Sequence, residues 1–320
     1  MAMKDVAILS AGDLPPKPQQ SLLDTFTVHR LAAGAHGVDP GGAAAIRGLA
    51  RGFHLHIDRA LIESLPNLEI IANYGVGYDG IDLAAAADNR VVVTNTPDVL
   101  TEEVADTALG LMLMTVRELS AAERHLRAGK WPAGDFRLTG TMRNRTVGIV
   151  GLGRIGLAIA RRLDAMQVPV AYHSRHARND VPYRYFADIG SLAAAVDTLM
   201  VVLPGNATTK NAIDAAVLKA LGPNGVVVNI GRGVAIDEPA LIAALKDGTI
   251  KAAGLDVFVN EPNVPAELMA LPNAVLLPHV GSASTHTRDA MGQLVVDNLT
   301  SWFSTGKPLT PVPETPVPQR

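Results

Sequence analysis

The chain has 320 residues, of which 48% are hydrophobic and only 4% aromatic, with a formal net charge of −3 and no cysteine. That length suffices for two ordinary domains. The composition excludes disulfides, thiolate metal sites and a cysteine nucleophile, and the near-balanced charge offers no global basic field to nucleic acid.

In chain order, Val6 to Leu9 reads as a buried strand and Thr25 to Leu31 as a second. The apolar start ends at Gly12 and Pro15, too soon for a signal-peptide core with its cleavage site. No apolar run of about 18 residues is free of charges or helix breakers, so no membrane span is expected and the cytoplasm is the expected compartment. Gly34 to Gly42 is glycine-rich, and Ala43 to Ala50 reads as a short helix. Asp58 to Leu65 is a helix capped by Asp58. Glu69 to Tyr74 and Val91 to Thr94 are strands, the first breaking at Gly75-Val-Gly-Tyr-Asp-Gly80. This alternation implies a small parallel sheet. Thr101 to Ala128 reads as the longest helix. It carries acids in its first turn and is apolar from Val104 to Val116, as a helix buried between domains or subunits is.

The clearest segment follows. Thr146 to Val150 is a strand, Gly151-Leu-Gly-Arg-Ile-Gly156 a glycine-rich turn, Leu157 to Gln167 a helix and Val168 to Tyr172 the next strand. Strands at Thr198–Leu203, Val226–Ile230, Ala252–Val257 and Ala274–Leu277 alternate with helices at Ser191–Val196, Ala215–Ala220 and Pro239–Asp247. Six strands with helical crossovers make a doubly wound domain. His286 to Phe303 is a long helix, and the tail Pro308 to Arg320, with five prolines, is expected to be extended or frayed. The expected fold is α/β with two doubly wound parallel-sheet domains. A Rossmann-type cofactor domain at 99–285 is inserted in a flavodoxin-like substrate domain made of 1–98 plus 286–320. The cleft between two such domains is a natural ligand site.

Four motifs bear on chemistry. In the first, Gly151 permits a tight turn, Gly153 lets the backbone approach a pyrophosphate, and Gly156 lets helix and strand pack closely, with helix-start N–H groups to hold the phosphate. The second is Ser174-Arg175-His176, just past the next strand, where a dinucleotide site usually carries an acid for the ribose. An aspartate there would repel a ribose 2′-phosphate. A hydroxyl and a guanidinium bind one, and His176 and Arg178 add positive charge. Third, Arg232, in Asn229-Ile-Gly-Arg-Gly233, stands at a strand's carboxyl end, where open sheets bind ligands, and a guanidinium matches a carboxylate with two parallel hydrogen bonds. Fourth, Glu261 and His279 stand at equivalent strand ends. A carboxylate beside an imidazole fixes its tautomer and favours its charged form, making a usable acid near neutral pH. Spacing alone leaves open a surface arginine, a structural histidine and a merely exposed basic loop. His29, His36, His54, His56 and His125 read as solvent-facing, and no spacing suggests a metal site.

Taken together, Gly151-Leu-Gly-Arg-Ile-Gly156, Asn229-Ile-Gly-Arg-Gly-Val-Ala-Ile-Asp-Glu238, Gly254-Leu-Asp-Val-Phe-Val-Asn-Glu-Pro262 and Leu277-Pro-His-Val-Gly281 resemble the D-isomer-specific 2-hydroxyacid dehydrogenases. The resemblance extends to Asn73-Tyr-Gly-Val-Gly-Tyr-Asp79 and so covers nearly the whole chain. It is strongest to the NADPH-dependent hydroxypyruvate, glyoxylate and hydroxyphenylpyruvate reductases, through Gly129-Lys-Trp-Pro-Ala-Gly-Asp-Phe136, Tyr172-His-Ser-Arg175 and Leu276-Leu-Pro-His-Val-Gly-Ser282. It implies NADP(H) as cofactor and a small 2-oxo acid as substrate, with Arg232, Glu261 and His279 as catalytic residues. It implies cofactor contacts from Gly151, Leu152, Gly153, Arg154, Ile155, Gly156, Ser174, Arg175 and His176, with Ile230, Gly231 and Asp256 near the nicotinamide. Backbone amides near Val76 and Gly77 would bind the substrate carboxylate, and Trp131 would line the pocket or pack at a helix end. It also implies a homodimer, with no nucleic acid or membrane partner. The alternatives on the same scaffold are an NAD-dependent D-2-hydroxyacid dehydrogenase and a non-catalytic, dinucleotide-sensing corepressor-like protein.

Overall fold

A computed structural model describes residues 3–31, 40–53 and 55–315. The chain divides into two compact units, Met1–Leu100 with Ser284–Arg320, and Thr101–Ala283.

The first unit holds β1 (Met3–Ala11), α1 (Pro16–Thr25), β2 (Phe26–Arg30), α2 (Pro40–Ala43), β3 (Ile46–Arg51), α3 (Arg59–Glu63), β4 (Ile70–Asn73), α4 (Leu83–Asp88) and β5 (Val92–Thr94). Its strands pair in parallel in the order β2-β1-β3-β4-β5, the flavodoxin-like order. Both sheet faces are covered, so the strands read as apolar runs: Ile8, Leu9, Leu49, Ile70, Ile71, Val92 and Val93 are fully buried. The expected helix at Ala43–Ala50 is instead the end of α2 followed by β3. The run is too short for periodicity to separate the two states. What decides is pairing with both β1 and β4, and Gly48, where a Cβ would stand 2.6 Å from the Ile8 Cδ1. Asp58 caps α3 as expected, accepting the Leu61 N–H at 2.9 Å. Most of the glycine-rich stretch from Gly34, and the end of the tail at 316–320, lie outside the described residues.

The second unit holds α5 (Thr101–Val116), α6 (Leu119–Arg127), β6 (Val147–Val150), α7 (Arg154–Ala165), β7 (Val170–His173), β8 (Arg184–Phe186), α8 (Ile189–Ala194), β9 (Thr198–Val201), α9 (Ala215–Leu221), β10 (Val226–Asn229), α10 (Glu238–Asp247), β11 (Ala252–Leu255), α11 (Ala266–Met269) and β12 (Ala274–Leu276). Its sheet is parallel throughout, ordered β12-β11-β10-β9-β6-β7-β8. That is the doubly wound dinucleotide-binding order with one strand added at the β12 edge. There are seven strands rather than the six expected. The strand not among the expected six is β8, a three-residue edge strand with no fully buried residue, which gives it no apolar signature. The expected helix at Thr101–Ala128 is two helices, broken at Glu118, whose φ is +51°. Helix α5 lies on its own sheet, where Gly254 leaves room for Leu111 and Thr115.

Helix α12 (Thr285–Thr305) belongs to the first unit and is the longest described. Ser284 caps it, accepting the Thr287 N–H at 3.2 Å. It buries Val295, Val296, Leu299 and Trp302; full burial of such side chains contributes roughly 1.5–3 kcal/mol each. The tail beyond it is pinned, not frayed, as far as Thr315: the Val312 N–H donates to the Val93 carbonyl at 2.9 Å and the Thr315 hydroxyl accepts the Val93 N–H at 2.9 Å.

Candidate active site

Parallel strands place all their carboxyl ends on one edge, so sheet order becomes site order. Across the second unit's edge stand His279 after β12, Asp256 and Glu261 after β11, Arg232 after β10, the glycine turn after β6 and Ser174 after β7.

His279 Nδ1 lies 2.6 Å from the Glu261 Oε2, and both side chains are half-buried. Glu261 Oε1 accepts the Phe258 N–H at 2.9 Å. Burial opposes the charge of this carboxyl. The hydrogen bonds from His279 and Phe258, and the positive charges of His279 and Arg232, outweigh it and hold the group below its ordinary value. Arg232 therefore acts electrostatically on the same carboxylate. Its loop is fixed by Asn229, buried at the end of β10, which accepts the Gly231 N–H at 3.0 Å and donates to the Arg232 carbonyl at 2.9 Å. Gly233 seats the loop on the Phe258 segment: a Cβ there would meet the Phe258 carbonyl carbon at 2.0 Å. The sequence pattern did not single out Asn229; a polar residue closing an all-valine strand is the signal that marks it.

Asp256 is 1% exposed. Burial raises its carboxyl above the ordinary value, although the Val280 and Gly281 N–H groups donate to its two oxygens at 2.7 and 2.9 Å. The His279 N–H donates to the Asp256 carbonyl at 2.9 Å, and His279 adopts φ +52°. Asp256 thus clamps the left-handed turn that presents the imidazole.

The glycine turn fits a dinucleotide. Gly151 has φ +104°, and a Cβ on it would stand 2.9 Å from the Val202 carbonyl oxygen. A Cβ on Gly156 would stand 2.3 Å from the Gly151 carbonyl oxygen, whereas around Gly153 there is open space. Gly153 is the N-cap of α7 and offers no side-chain cap, so the first N–H groups of Arg154, Ile155 and Gly156 are presented to a phosphate. Leu152 is buried beneath the turn. Gly231 packs against the Leu203 backbone, where a Cβ would stand 2.6 Å from the carbonyl oxygen, and Ile230 is buried beside it. Ser174 is half-buried, with its hydroxyl donating to the His176 carbonyl at 2.7 Å, and Arg175 and His176 are exposed. Arg178 adds less field than its charge suggests. It is paired with Asp180 and donates to the Leu152 carbonyl at 3.0 Å, fastening the basic loop to the glycine turn.

Other expected residues do not belong to this sheet edge. Val76 and Gly77 belong to the first unit, in the turn after β4. Trp131 is 61% exposed, and its Nε1 donates to Asp135 at 3.2 Å. His56 is exposed. His29 and His125 are half-buried rather than solvent-facing, His125 with its Nε2 3.2 Å from the Gly134 carbonyl oxygen, and His36 and His54 lie outside the described residues. Among the described residues no cluster of three or more His, Asp or Glu suits a metal ion, and no helix is long and apolar enough to cross a membrane.

Residues 109–281 match the family model described as the NAD-binding domain of D-isomer-specific 2-hydroxyacid dehydrogenases. The chain is 50% identical over 255 residues to a glyoxylate/hydroxypyruvate reductase of Arabidopsis thaliana, covering 80% of this chain and 82% of that one. It is 47% identical over 271 residues to the hydroxyphenylpyruvate reductase of Plectranthus scutellarioides, covering 84% and 86%. Among solved structures, the NADPH-dependent glyoxylate/hydroxypyruvate reductase of Sinorhizobium meliloti, in complex with NADP and malonate, superposes with a TM-score of 0.94 at 51% identity over 99% of each chain.

Proposed function

This chain belongs to the D-isomer-specific 2-hydroxyacid dehydrogenase family, and on that premise we propose that it reduces small 2-oxo acids with NADPH. The substrates are glyoxylate, hydroxypyruvate and aryl pyruvates; the products are D-2-hydroxy acids, or achiral glycolate from glyoxylate. The observation that carries the reading is the 2.6 Å contact between His279 Nδ1 and Glu261, under the charge of Arg232, on the sheet edge that also bears the glycine turn.

NADPH, when bound, supplies the hydride. Arg232 holds the substrate carboxylate and polarises the carbonyl. His279 gives the proton on Nε2 to the carbonyl oxygen as that oxygen gains charge. Glu261 accepts from Nδ1, which fixes the ring's tautomer and offsets the imidazolium charge. Asp256 fixes the turn on which His279 sits. Ser174 and Arg175 supply the hydroxyl and guanidinium for a ribose 2′-phosphate, where an aspartate would repel it. Val76 and Gly77 are the proposed amide contacts to the carboxylate, and Trp131 the proposed side chain bounding larger substrates. A homodimer is supported by the apolar surface at Leu119, Leu126, Trp131 and Leu138, each at least 45% exposed, and the cytoplasm is the proposed compartment. Hydroxypyruvate incubated with NADPH and the protein, then resolved by chiral chromatography, yields D-glycerate on this reading. Formation of the L-isomer contradicts it.

A further inference from the structure

The turn after β4 is held by side chains that no catalytic argument has used. Asn73 is fully buried and donates from Nδ2 to two carbonyl oxygens, Gly75 at 2.9 Å and Gly77 at 3.0 Å. The Gly75 carbonyl also accepts the Thr96 N–H at 3.0 Å. Between them, the Val76 carbonyl accepts from the Asn95 Nδ2 at 3.0 Å. Three successive carbonyls are therefore held by two asparagine amides. The Asn73 amide is itself oriented, because the Arg51 Nη1 donates to its Oδ1 at 2.5 Å and leaves the NH2 end facing the turn.

A trans peptide plane carries its N–H opposite its C=O. With the carbonyls of residues 75, 76 and 77 held by the asparagines, the N–H groups of Val76, Gly77 and Tyr78 are fixed too, each opposite the carbonyl of its own plane. No acceptor for these three N–H groups is found among the described residues. Gly75, with φ +153°, sets the entry to the turn in a region that disfavours a side chain. Successive backbone N–H groups without an internal acceptor suit an anion.

Asn95 is anchored in turn by the tail. Its N–H donates to the Thr310 carbonyl at 3.2 Å, and the Thr310 hydroxyl donates to the Asn95 carbonyl at 2.6 Å. Thr310 is fixed by Asn298 of α12, fully buried, whose Nδ2 donates to the Thr310 hydroxyl at 2.9 Å and whose Oδ1 accepts the Leu309 and Thr310 N–H groups at 3.0 Å. The proline-bearing tail is therefore a brace for this turn, at a distance in sequence that no local pattern reveals.

We propose that Asn73 and Asn95 are positioning residues that preset the 75–77 turn as a carboxylate receptor, with Asn298 and Thr310 bracing Asn95. The substrate's being a 2-oxo acid rests on the function proposed above; the receptor geometry does not. Two variants test it. Asn95→Ala removes the hold on the Val76 carbonyl but leaves the backbone pairing with Thr310. Asn73→Asp keeps the volume and the acceptor for Arg51 but removes both donors. Each is expected to raise the KM for glyoxylate about 10- to 100-fold, the range of a hydrogen bond to a charged group, while the KM for NADPH stays within about twofold. A generalised loss of structure would raise both. Independently of turnover, the amide NMR resonances of Val76 and Gly77 should shift on titration with oxamate, at about 10- to 100-fold higher concentration in Asn95→Ala than in the parent. Should Asn73→Asp fail to fold, Asn95→Ala decides alone. Unchanged glyoxylate KM and oxamate titration in Asn95→Ala overturn the proposal, as do parent amides that oxamate leaves unmoved. A parent protein that reduces no 2-oxo acid overturns the functional reading instead, and oxamate-shifted amides would still sustain the receptor.

Discussion

Replacing Glu261 with glutamine isolates the charge behind the proposed acid. The substitution keeps the volume, and the side-chain oxygen can still accept the Phe258 N–H, now at 2.9 Å from Oε1. What disappears is the anionic acceptor 2.6 Å from His279 Nδ1. A hydrogen bond to a charged group contributes roughly 1.5–3 kcal/mol, and each ~1.4 kcal/mol is tenfold in rate. The expected fall in kcat is therefore roughly 10- to 150-fold, within the ~10²–10⁴-fold that a general acid supplies in full. Steady-state NADPH oxidation with saturating glyoxylate measures it. The KM for NADPH should not move, because the glycine turn follows β6, three strands from β11 in the sheet order. The same variant reports on stability. The Glu261 carboxyl lies below its ordinary 4.5 in the folded protein, so the stability it contributes is fully present above about pH 4.5 and is lost as pH falls through the lower folded value. The difference in denaturant midpoint between parent and Glu261→Gln should accordingly shrink on acidification below that point. A kcat within about twofold of the parent would refute the role given to the carboxylate.

Three further outcomes follow from the same geometry. Arg232→Ala should lower kcat/KM by about 100-fold or more, by removing the carboxylate clamp, while NADPH fluorescence titration shows unchanged binding; full turnover would remove Arg232 from the site. Ser174→Asp combined with Arg175→Ala should collapse the ratio of kcat/KM for NADPH over NADH, and a preserved ratio would mean that this loop does not read the 2′-phosphate. Gly156→Ala places a Cβ 2.3 Å from the Gly151 carbonyl oxygen, so overpacking should cost about 1–3 kcal/mol in urea unfolding and weaken NADPH binding; a variant as stable as the parent with parental affinity contradicts the packing argument.

The legible parts of the sequence were those where local pattern and tertiary demand agree. The β6 strand, its glycine turn and α7 carry both an apolar run and a backbone requirement, and the structure places them as read. Arg232, Glu261 and His279 could be located because strand ends in one parallel sheet share an edge. Elements decided by long-range pairing were illegible. β3 reads equally well as helix or strand until β1 and β4 flank it, and β8 is an edge strand too short and exposed to show alternation. The break between α5 and α6 rests on one left-handed residue, Glu118, and no proline or glycine marks it. The holding residues Asn73, Asn95, Asn229 and Asn298 stood out less for a different reason. An asparagine is recognised by what its amide meets: for Asn95 and Asn298 those partners lie on distant segments, and for Asn73 and Asn229 they are the backbone of the following turn, whose shape only the fold sets.

The most direct test is steady-state oxidation of NADPH by the purified protein with glyoxylate, hydroxypyruvate and phenylpyruvate, each repeated with NADH. Saturable turnover of at least one 2-oxo acid, faster with NADPH than with NADH, is the predicted result. No turnover of any of the three with either cofactor would contradict the account at its centre.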